Sequence, residues 1–461
     1  MFYLQTNTKE NLIMTKPIVC RVAPSNTGPG HCGMARQSLH NYIFARQHKG
    51  TFIVRIENTD FSRSTQEFAD NILEGLNWLG IKSDVEIIYQ SERGHIYKEY
   101  VDKLLKEKKA YKCYCTAEEL TAKRDEMLRN KQKPLYDRTC YEKPEQEGKP
   151  FVIRFKTQDQ GRVEWKDHVL GKISVKNSEI SDFVIQRQDG SVGYLLANMV
   201  DDALQGVTHI VRGVDGVGNV PAQTMLYQAL GFPVPEYAHT PFILNDKGEK
   251  LSKRNGDASV LDYRDKGFLP EAVVNGLARV GWSYKNEEIF SMDDLIQKFS
   301  LNSVGRAPGC LDPNKMLHIN AHWIKNGDPK RIAEQAKPFM HYKTDKGPDI
   351  IEVVKLLQPR AKTLIEIAEM AEVYYKKPKA VRADHSVGSI VEILEKKKTY
   401  SIEDIEEAIS HGCKKHNVTL KELGPQIRMA LTGKTASPPV VNVMHVLGKK
   451  EAVARMKAAL K

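Results

Sequence analysis

The chain has 461 residues, 41% of them hydrophobic and 28% charged. That supplies enough apolar side chain for true cores, so a wholly disordered chain is excluded, and at ~150 residues per domain it divides into about three units. An excess of 69 basic over 58 acidic side chains leaves a net charge of +11, which argues against an acidic regulator and suits a polyanionic partner. No run approaches the ~20 apolar residues that a membrane crossing requires. Residues 1–16 are mostly polar and lack the basic start and apolar centre of a secretory signal, so they read as a poorly ordered extension. Seven cysteines in so long a chain do not make a disulfide scaffold; with Cys113, Cys115 and Cys140 clustered, they fit a reducing cytoplasm and one metal knuckle.

In chain order, residues 18–23 read as a short buried strand that runs into the turn at 24–30, followed by a helix over about 34–47 with Gly50 as its stop. Residues 51–56 are apolar and β-branched, a second strand. Ser64-Thr65-Gln66-Glu67 has the form of a capping box ahead of Phe68, Ile72, Leu76 and Leu79 at helical spacing. Strand, helix, strand, helix is the opening of a parallel α/β sheet. The alternation breaks over about 97–188, which holds the cysteines, a charged helix at 117–130 and strand pieces at 151–155 and 183–187, the pattern of an α+β insertion. It resumes with 192–200, the pair Asp201-Asp202, 207–211 and a helix at 220–230. A sheet interrupted in this way makes a cleft between core and insertion. Beyond 245 the chain turns helical, with Ser291, Ser401 and Thr419 as helix starts and loops at 343–349 and 376–384.

Two segments carry chemistry. Arg21-Val22-Ala23-Pro24-Ser25-Asn26-Thr27-Gly28-Pro29-Gly30-His31-Cys32-Gly33 leaves a strand through a glycine-rich turn and opens a helix, whose unpaired amides and dipole suit a phosphate. Some 220 residues later, Lys250-Leu251-Ser252-Lys253-Arg254 sets two lysines three apart in a glycine-flanked loop that can close over departing pyrophosphate. Either alone reads equally as a surface turn or a solvated basic loop; in this order they make a pair.

The pair resembles the two signatures of the class I aminoacyl-tRNA synthetases, and the text between them is similar to the bacterial-type glutamyl-tRNA synthetases. Phe52-Ile53-Val54-Arg55-Ile56-Glu57, Tyr194 to Gly213, Lys250 to Trp282 and Arg428-Met429-Ala430-Leu431-Thr432-Gly433 extend the likeness over about residues 17–461. The resemblance implies a Rossmann-like parallel-sheet catalytic core in two halves (17–96 and 189–245) interrupted by an acceptor-stem-binding insertion (97–188). A stem-contact domain (246–329) and an all-α anticodon-binding domain (330–461) would follow. It implies ATP-dependent ligation of glutamate to the 3′ end of tRNA through glutamyl-adenylate, with Mg²⁺ on the phosphates, in a cytoplasmic monomer.

On this chain the resemblance places Arg21, Ser25, Glu57, Tyr194, Asn198 and Arg212 around glutamate: Arg21 and Arg212 on its side-chain carboxylate, Glu57 on its ammonium. His31, Gly33, Lys250, Ser252 and Lys253 would serve ATP, and His31, Gly33, Lys250 and Lys253 the chemistry. Some relatives bind zinc with three cysteines and a histidine; here the set would be Cys113, Cys115, Cys140 and Glu142, three thiolates and a carboxylate, a legitimate tetrahedral set. The chain departs from the family pattern at Asn26, Met34, Asn58, Val214, Gly216 and Gly218. Those departures leave room for an impaired paralogue that binds tRNA without charging it, or an enzyme specialised for glutamine tRNA. The pocket arginines and clamp lysines survive and favour activity. A related nucleotidyltransferase acting on a small molecule fails to explain the helical final third.

Overall fold

The computed structural model describes residues 17–60, 62–251, 259–379 and 385–460. Two compact units emerge, one of 1–261 with 277–311, the other of 262–276 with 312–461. The extension at 1–16, Ser252 and Lys253 lie outside the described residues.

The first unit is built on a seven-stranded sheet. Its strands are β1 (Val19–Val22), β2 (Thr51–Ile56) and β3 (Ile88–Tyr89), then β6 (Arg162–Asp167), β7 (Gly171–Lys176), β9 (His209–Gly213) and β10 (Glu236–Thr240). The remaining strands of the first half, β4 (Ala110–Cys113), β5 (Val152–Phe155) and β8 (Phe183–Gln186), form a separate antiparallel sheet within the insertion. The large sheet runs β3-β2-β1-β9-β10-β6-β7, parallel as far as β6, with β7 returning antiparallel. The central strands are buried along almost their whole length, which is why 51–56 is an apolar run without alternation. The insertion is not a closed appendage, for its β6–β7 hairpin pairs with β10 and widens the core sheet.

From β1 the chain passes through helix α1 (Cys32–Gln47) to β2 on one side, and comes back to β9 on the other. The crevice between the carboxyl ends of β1 and β9 is therefore the topological switch point, where open α/β sheets bind ligands. Helix α2 (Gln66–Trp78) begins one residue later than the sequence pattern suggests: Thr65 is its cap, accepting from Phe68 N at 3.2 Å. The capping boxes at Ser291, Ser401 and Thr419 all form, with Asp294, Asp404 and Glu422 at the third position.

The second unit is all-helical among its described residues. Its core gathers Val353, Leu357, Ile390, Leu394, Ile405, Leu423, Ile427 and Met444, the apolar faces of amphipathic helices. Tyr374 belongs to this core, and Tyr375 stacks on Tyr342 with ring centroids 5.7 Å apart.

Candidate active site

The turn after β1 is held from both sides. Asn26 is buried, and its Nδ2 donates to Thr65 O at 2.8 Å, bolting the turn to the cap of α2. A side-chain bond thus replaces the φ restraint that proline would supply there. His31 caps α1: its Nδ1 accepts from Met34 N at 3.1 Å, which puts the imidazole proton on Nε2 when the ring is neutral. A Cβ on Gly33 would stand 3.0 Å from that Nδ1, so glycine here is what lets the cap form. Met34 is buried beneath Gly30, with its Cε 3.1 Å from where a Cβ would be, and fills the floor of the turn.

Below the turn lies a buried cluster of charges. Arg21 donates through Nε and Nη2 to both carboxylate oxygens of Asp202 at 3.0 Å, and through Nη2 to Asn198 Oδ1 at 3.2 Å. Arg55 reaches Asp202 at 2.8 Å, Glu57 at 3.4 Å and Asp201 at 3.7 Å. Arg93 adds a 2.8 Å bond to Asp201. Three arginines thus answer three carboxylates, as buried charges require. Burial pushes the Asp202 carboxyl up, but Arg21 and Arg55 outweigh it and hold the group below the usual carboxylate range. Glu57 is raised, because its burial outweighs Arg55 and Arg21. Its carboxylate accepts from Asn198 Nδ2 and Arg55, one layer behind the cavity wall.

Arg212, at the end of β9, stands differently. Its Nε donates to His239 Nε2 at 3.1 Å, Nη1 to Gln223 Oε1 at 3.0 Å and Nη2 to Gly216 O at 2.8 Å. Every partner is neutral, and among the described residues no carboxylate comes within 4.0 Å of its nitrogens. His239 is fully buried and gives its Nδ1 proton to Asp167 Oδ2 at 2.5 Å. Asp167 is fixed in turn by the backbone amides of Val169, Leu170 and His239 on Oδ1. Burial and the nearby Arg212 charge outweigh Asp167 and lower the His239 pKa, so the ring is neutral and its Nε2 is an acceptor. Asp167, His239 and Arg212 form one directed chain from the insertion to the crevice.

Two adjoining cavities open at the crevice. The first, of about 390 Å³, is lined by Arg21, Ser25, His31, Tyr194, Asn198 and Arg212 among others. The second, of about 270 Å³, is lined by His31, Gly33, Gln37, Asp215, Phe242 and Lys250. His31, Gln37, Gly213 and Asp215 border both. Lys250 lies with its Nζ 3.8 Å from the centre of the Phe242 ring. The structure therefore brings together every expected pocket residue it describes except Glu57, which backs Asn198 without lining either cavity.

In the insertion, Cys113, Cys115 and Cys140 have their sulfurs within 4.8 Å of one another, and Cys115 Sγ is 3.5 Å from Cys140 Sγ. Glu142, expected as the fourth ligand, is exposed and outside this group. The oxygen at the cluster is Tyr136 Oη, 3.2 Å from Cys113 Sγ and 3.6 Å from Cys115 Sγ. The likeness suggested a ligand two residues past the last cysteine, but the chain turns so that the residue four before it faces the sulfurs.

Sequence reasoning missed His239, Asp167, Gln223 and Tyr136. A signal existed for His239, a polar side chain in the otherwise apolar middle of a buried strand. For Asp167 and Gln223 none did, because their roles depend on contacts made across the fold.

Residues 17–317 match the family described as "tRNA synthetases class I (E and Q), catalytic domain", and residues 331–460 match "Anticodon binding domain". The chain is 46% identical to the glutamate–tRNA ligase of Citrifermentans bemidjiense, over 95% of this chain and 98% of that one. It is 43% identical to that of Geobacter sulfurreducens, again over 95% and 98%. The crystal structure of a glutamate tRNA ligase from Elizabethkingia meningosepticum in complex with its amino acid superposes with a TM-score of 0.86 at 29% identity, covering 96% of this chain and 99% of that one. With the catalytic-domain and anticodon-binding matches following one another along nearly the whole chain, and relatives of 46% identity over its length, the chain belongs to the bacterial-type glutamyl-tRNA synthetases of class I.

Proposed function

We propose that the two cavities hold glutamate and ATP side by side for the family's reaction, the ATP-dependent ligation of glutamate to tRNA through glutamyl-adenylate. The observation that carries the assignment of roles is the charge balance. Arg21 is already matched by Asp202, whereas Arg212 meets neutral acceptors alone. Arg212 is then the group whose charge awaits the substrate's side-chain carboxylate, and Arg21, held rigidly, offers a directed N–H beside it. Glutamine would leave that positive charge unanswered in a desolvated site, which is how the pocket rejects it. Tyr194 and Asn198 complete the wall, and Ser25 lies at the mouth. Glu57 acts through Asn198, as a positioning group for the amino end.

His31 sits on the boundary between the cavities, where its imidazole would meet a phosphate oxygen at the start of α1. Lys250, and Lys253 beyond the described residues, would supply positive charge for the leaving pyrophosphate. Mg²⁺ would neutralise the phosphates when bound. No side chain need form a covalent bond; catalysis is alignment of the α-carboxylate on the α-phosphorus and stabilisation of charge as it develops. Pyrophosphate exchange with purified tRNA, comparing Arg212→Gln with Arg21→Gln, tests the assignment. Arg212→Gln should lose discrimination against glutamine, while Arg21→Gln should lose stability as well as activity because buried Asp202 keeps only Arg55 as its charged partner.

The cysteine cluster fits zinc. A tetrahedral Zn²⁺ with ~2.3 Å bonds to sulfur needs ligands ~3.7 Å apart, close to the sulfur and phenol spacings seen. Cys113, Cys115, Cys140 and Tyr136 would hold it, and it would serve to close the tip of the insertion, which has a small apolar cluster of its own.

A further inference from the structure

At the opposite end of β9 and β10 from the crevice, three side chains converge that the reaction does not use. Glu236 opens β10 and lies directly opposite His209, the first residue of β9, in the parallel ladder. His168 follows the last residue of β6, its backbone N bonded to Tyr237 O at 2.9 Å. His168 Nε2 is 2.8 Å from Glu236 Oε2, and His209 Nε2 is 3.7 Å from the same oxygen. Ligand atoms of the three lie within 4.8 Å of one another.

The other nitrogen of each ring is engaged. His168 Nδ1 is 3.3 Å from Asn302 Oδ1, an acceptor, so it carries a proton. His209 Nδ1 is 2.9 Å from Thr208 Oγ1; that hydroxyl already points its hydrogen at Val19 O, 3.2 Å away, and so accepts from the ring. Both rings therefore turn Nε2 towards the same carboxylate oxygen, His168 at hydrogen-bond distance, a place where a divalent cation can take over from the bridging proton. The partners on Nδ1 are the outer-shell acceptors that orient metal-bound histidines. A tetrahedral Zn²⁺ with ~2.0 Å bonds to nitrogen and oxygen places its ligands ~3.3 Å apart. The two spacings here, 2.8 and 3.7 Å, straddle that value, so a ligand set is reached by side-chain rotation alone. Beside it opens a cavity of about 300 Å³, lined by His168, Glu236, Lys166 and Asn302, with room for water as the fourth ligand.

We propose that His168, His209 and Glu236 form a binding site for a divalent transition metal of the zinc class. Bound there, the ion ties the returning arm of the insertion, through His168, to two central strands. Its role is to brace the sheet, since the site lies at the end of β9 remote from Arg212.

The test is calorimetric titration of full-length, metal-stripped protein with Zn²⁺ alone, followed by Co²⁺ spectroscopy to separate this site from the cysteine cluster. Wild type should take up an ion whose Co²⁺ spectrum lacks thiolate charge-transfer bands, and its melting temperature should rise with metal. His209→Ala and His168→Gln should each lose that uptake and that rise, while the thiolate-bound ion and charging in Mg²⁺ without added zinc stay as in wild type. Uptake that survives both substitutions, or no saturation at a small molar excess of Zn²⁺ in correctly folded wild type, overturns the proposal.

Discussion

Arg212 Nε donates to His239 Nε2 at 3.1 Å, and this bond links the glutamate cavity to a carboxylate on the insertion. Because His239 passes its own proton to Asp167, its acceptor nitrogen can face nothing but Arg212, and the guanidinium plane is set from behind.

His239→Ala should therefore act on glutamate alone. It strands Arg212 Nε and one Asp167 oxygen in a buried site, a loss of about 1–3 kcal/mol. At ~1.4 kcal/mol per tenfold, KM for glutamate should rise roughly 5- to 150-fold, while KM for ATP holds. His239→Gln, whose amide oxygen can accept, should recover part of the loss. Steady-state charging kinetics with each substrate varied check this; parallel rises in both KM values would reduce His239 to general support of the fold.

Gly216 is the family departure with the clearest consequence. A Cβ there would stand 2.5 Å from Arg212 Nε and 2.8 Å from its Cδ. The short turn 214–219 closes onto the guanidinium because residue 216 has no side chain, and Gly216 O takes the Nη2 proton. Gly216→Ala should push Arg212 off its three acceptors and lower kcat/KM for glutamate at least tenfold, with a melting temperature near wild type because the turn is at the surface. Glutamate titrations of pyrophosphate exchange together with a thermal melt measure both quantities.

What was legible in the sequence was local. The strand at Thr51–Ile56 and the helix at Val220–Leu230 appear with the bounds their patterns suggest, since an apolar run or a helical period is a property of neighbours in the chain. The Ser401 and Thr419 caps were legible for the same reason. The Thr116–Glu119 box that starts the charged helix has the required spacing too. The charge balance of the crevice could not be read, because Asp202 meets Arg21 across 181 positions and Arg55 competes for the same carboxylate. The fourth group at the cysteines was misplaced on Glu142 for a related reason: spacing fixes which residues are near in the chain, while the path of residues 136–140 decides which one faces the sulfurs.

Zinc content follows from that path. Cys140→Ser should abolish the thiolate-bound ion, and Tyr136→Phe should weaken it, since the phenol oxygen bridges toward two sulfurs. Glu142→Gln should leave it unchanged, the side chain being exposed and apart from the cluster. Elemental analysis of the four proteins after identical dialysis discriminates; a loss on Glu142→Gln equal to that on Cys140→Ser would restore the carboxylate as ligand.

The insertion also carries its own acid sensitivity. Asp182 is wholly buried and accepts from Tyr111 Oη at 2.6 Å, Thr157 Oγ1 at 2.7 Å, Thr157 N at 2.9 Å and Arg138 through Nε and Nη2 at 3.0 and 2.9 Å. Burial alone would raise its pKa, but the bonds from Arg138, Tyr111 and Thr157 outweigh it and hold the carboxyl below its ordinary value. A depressed folded pKa contributes stability that is present above the unfolded value of ~3.9 and is lost as pH falls through the folded value. The antiparallel sheet of β4, β5 and β8 should thus loosen in acid below about pH 4 while remaining indifferent between pH 6 and 8. Asp182→Asn should remove much of that dependence and cost about 3 kcal/mol at neutral pH, because Arg138 and Tyr111 lose a charged acceptor. Hydrogen exchange at 110–113, 152–155 and 183–186, corrected for the intrinsic rate at each pH, reads the effect directly; equal acid sensitivity in wild type and Asp182→Asn would assign it to another group.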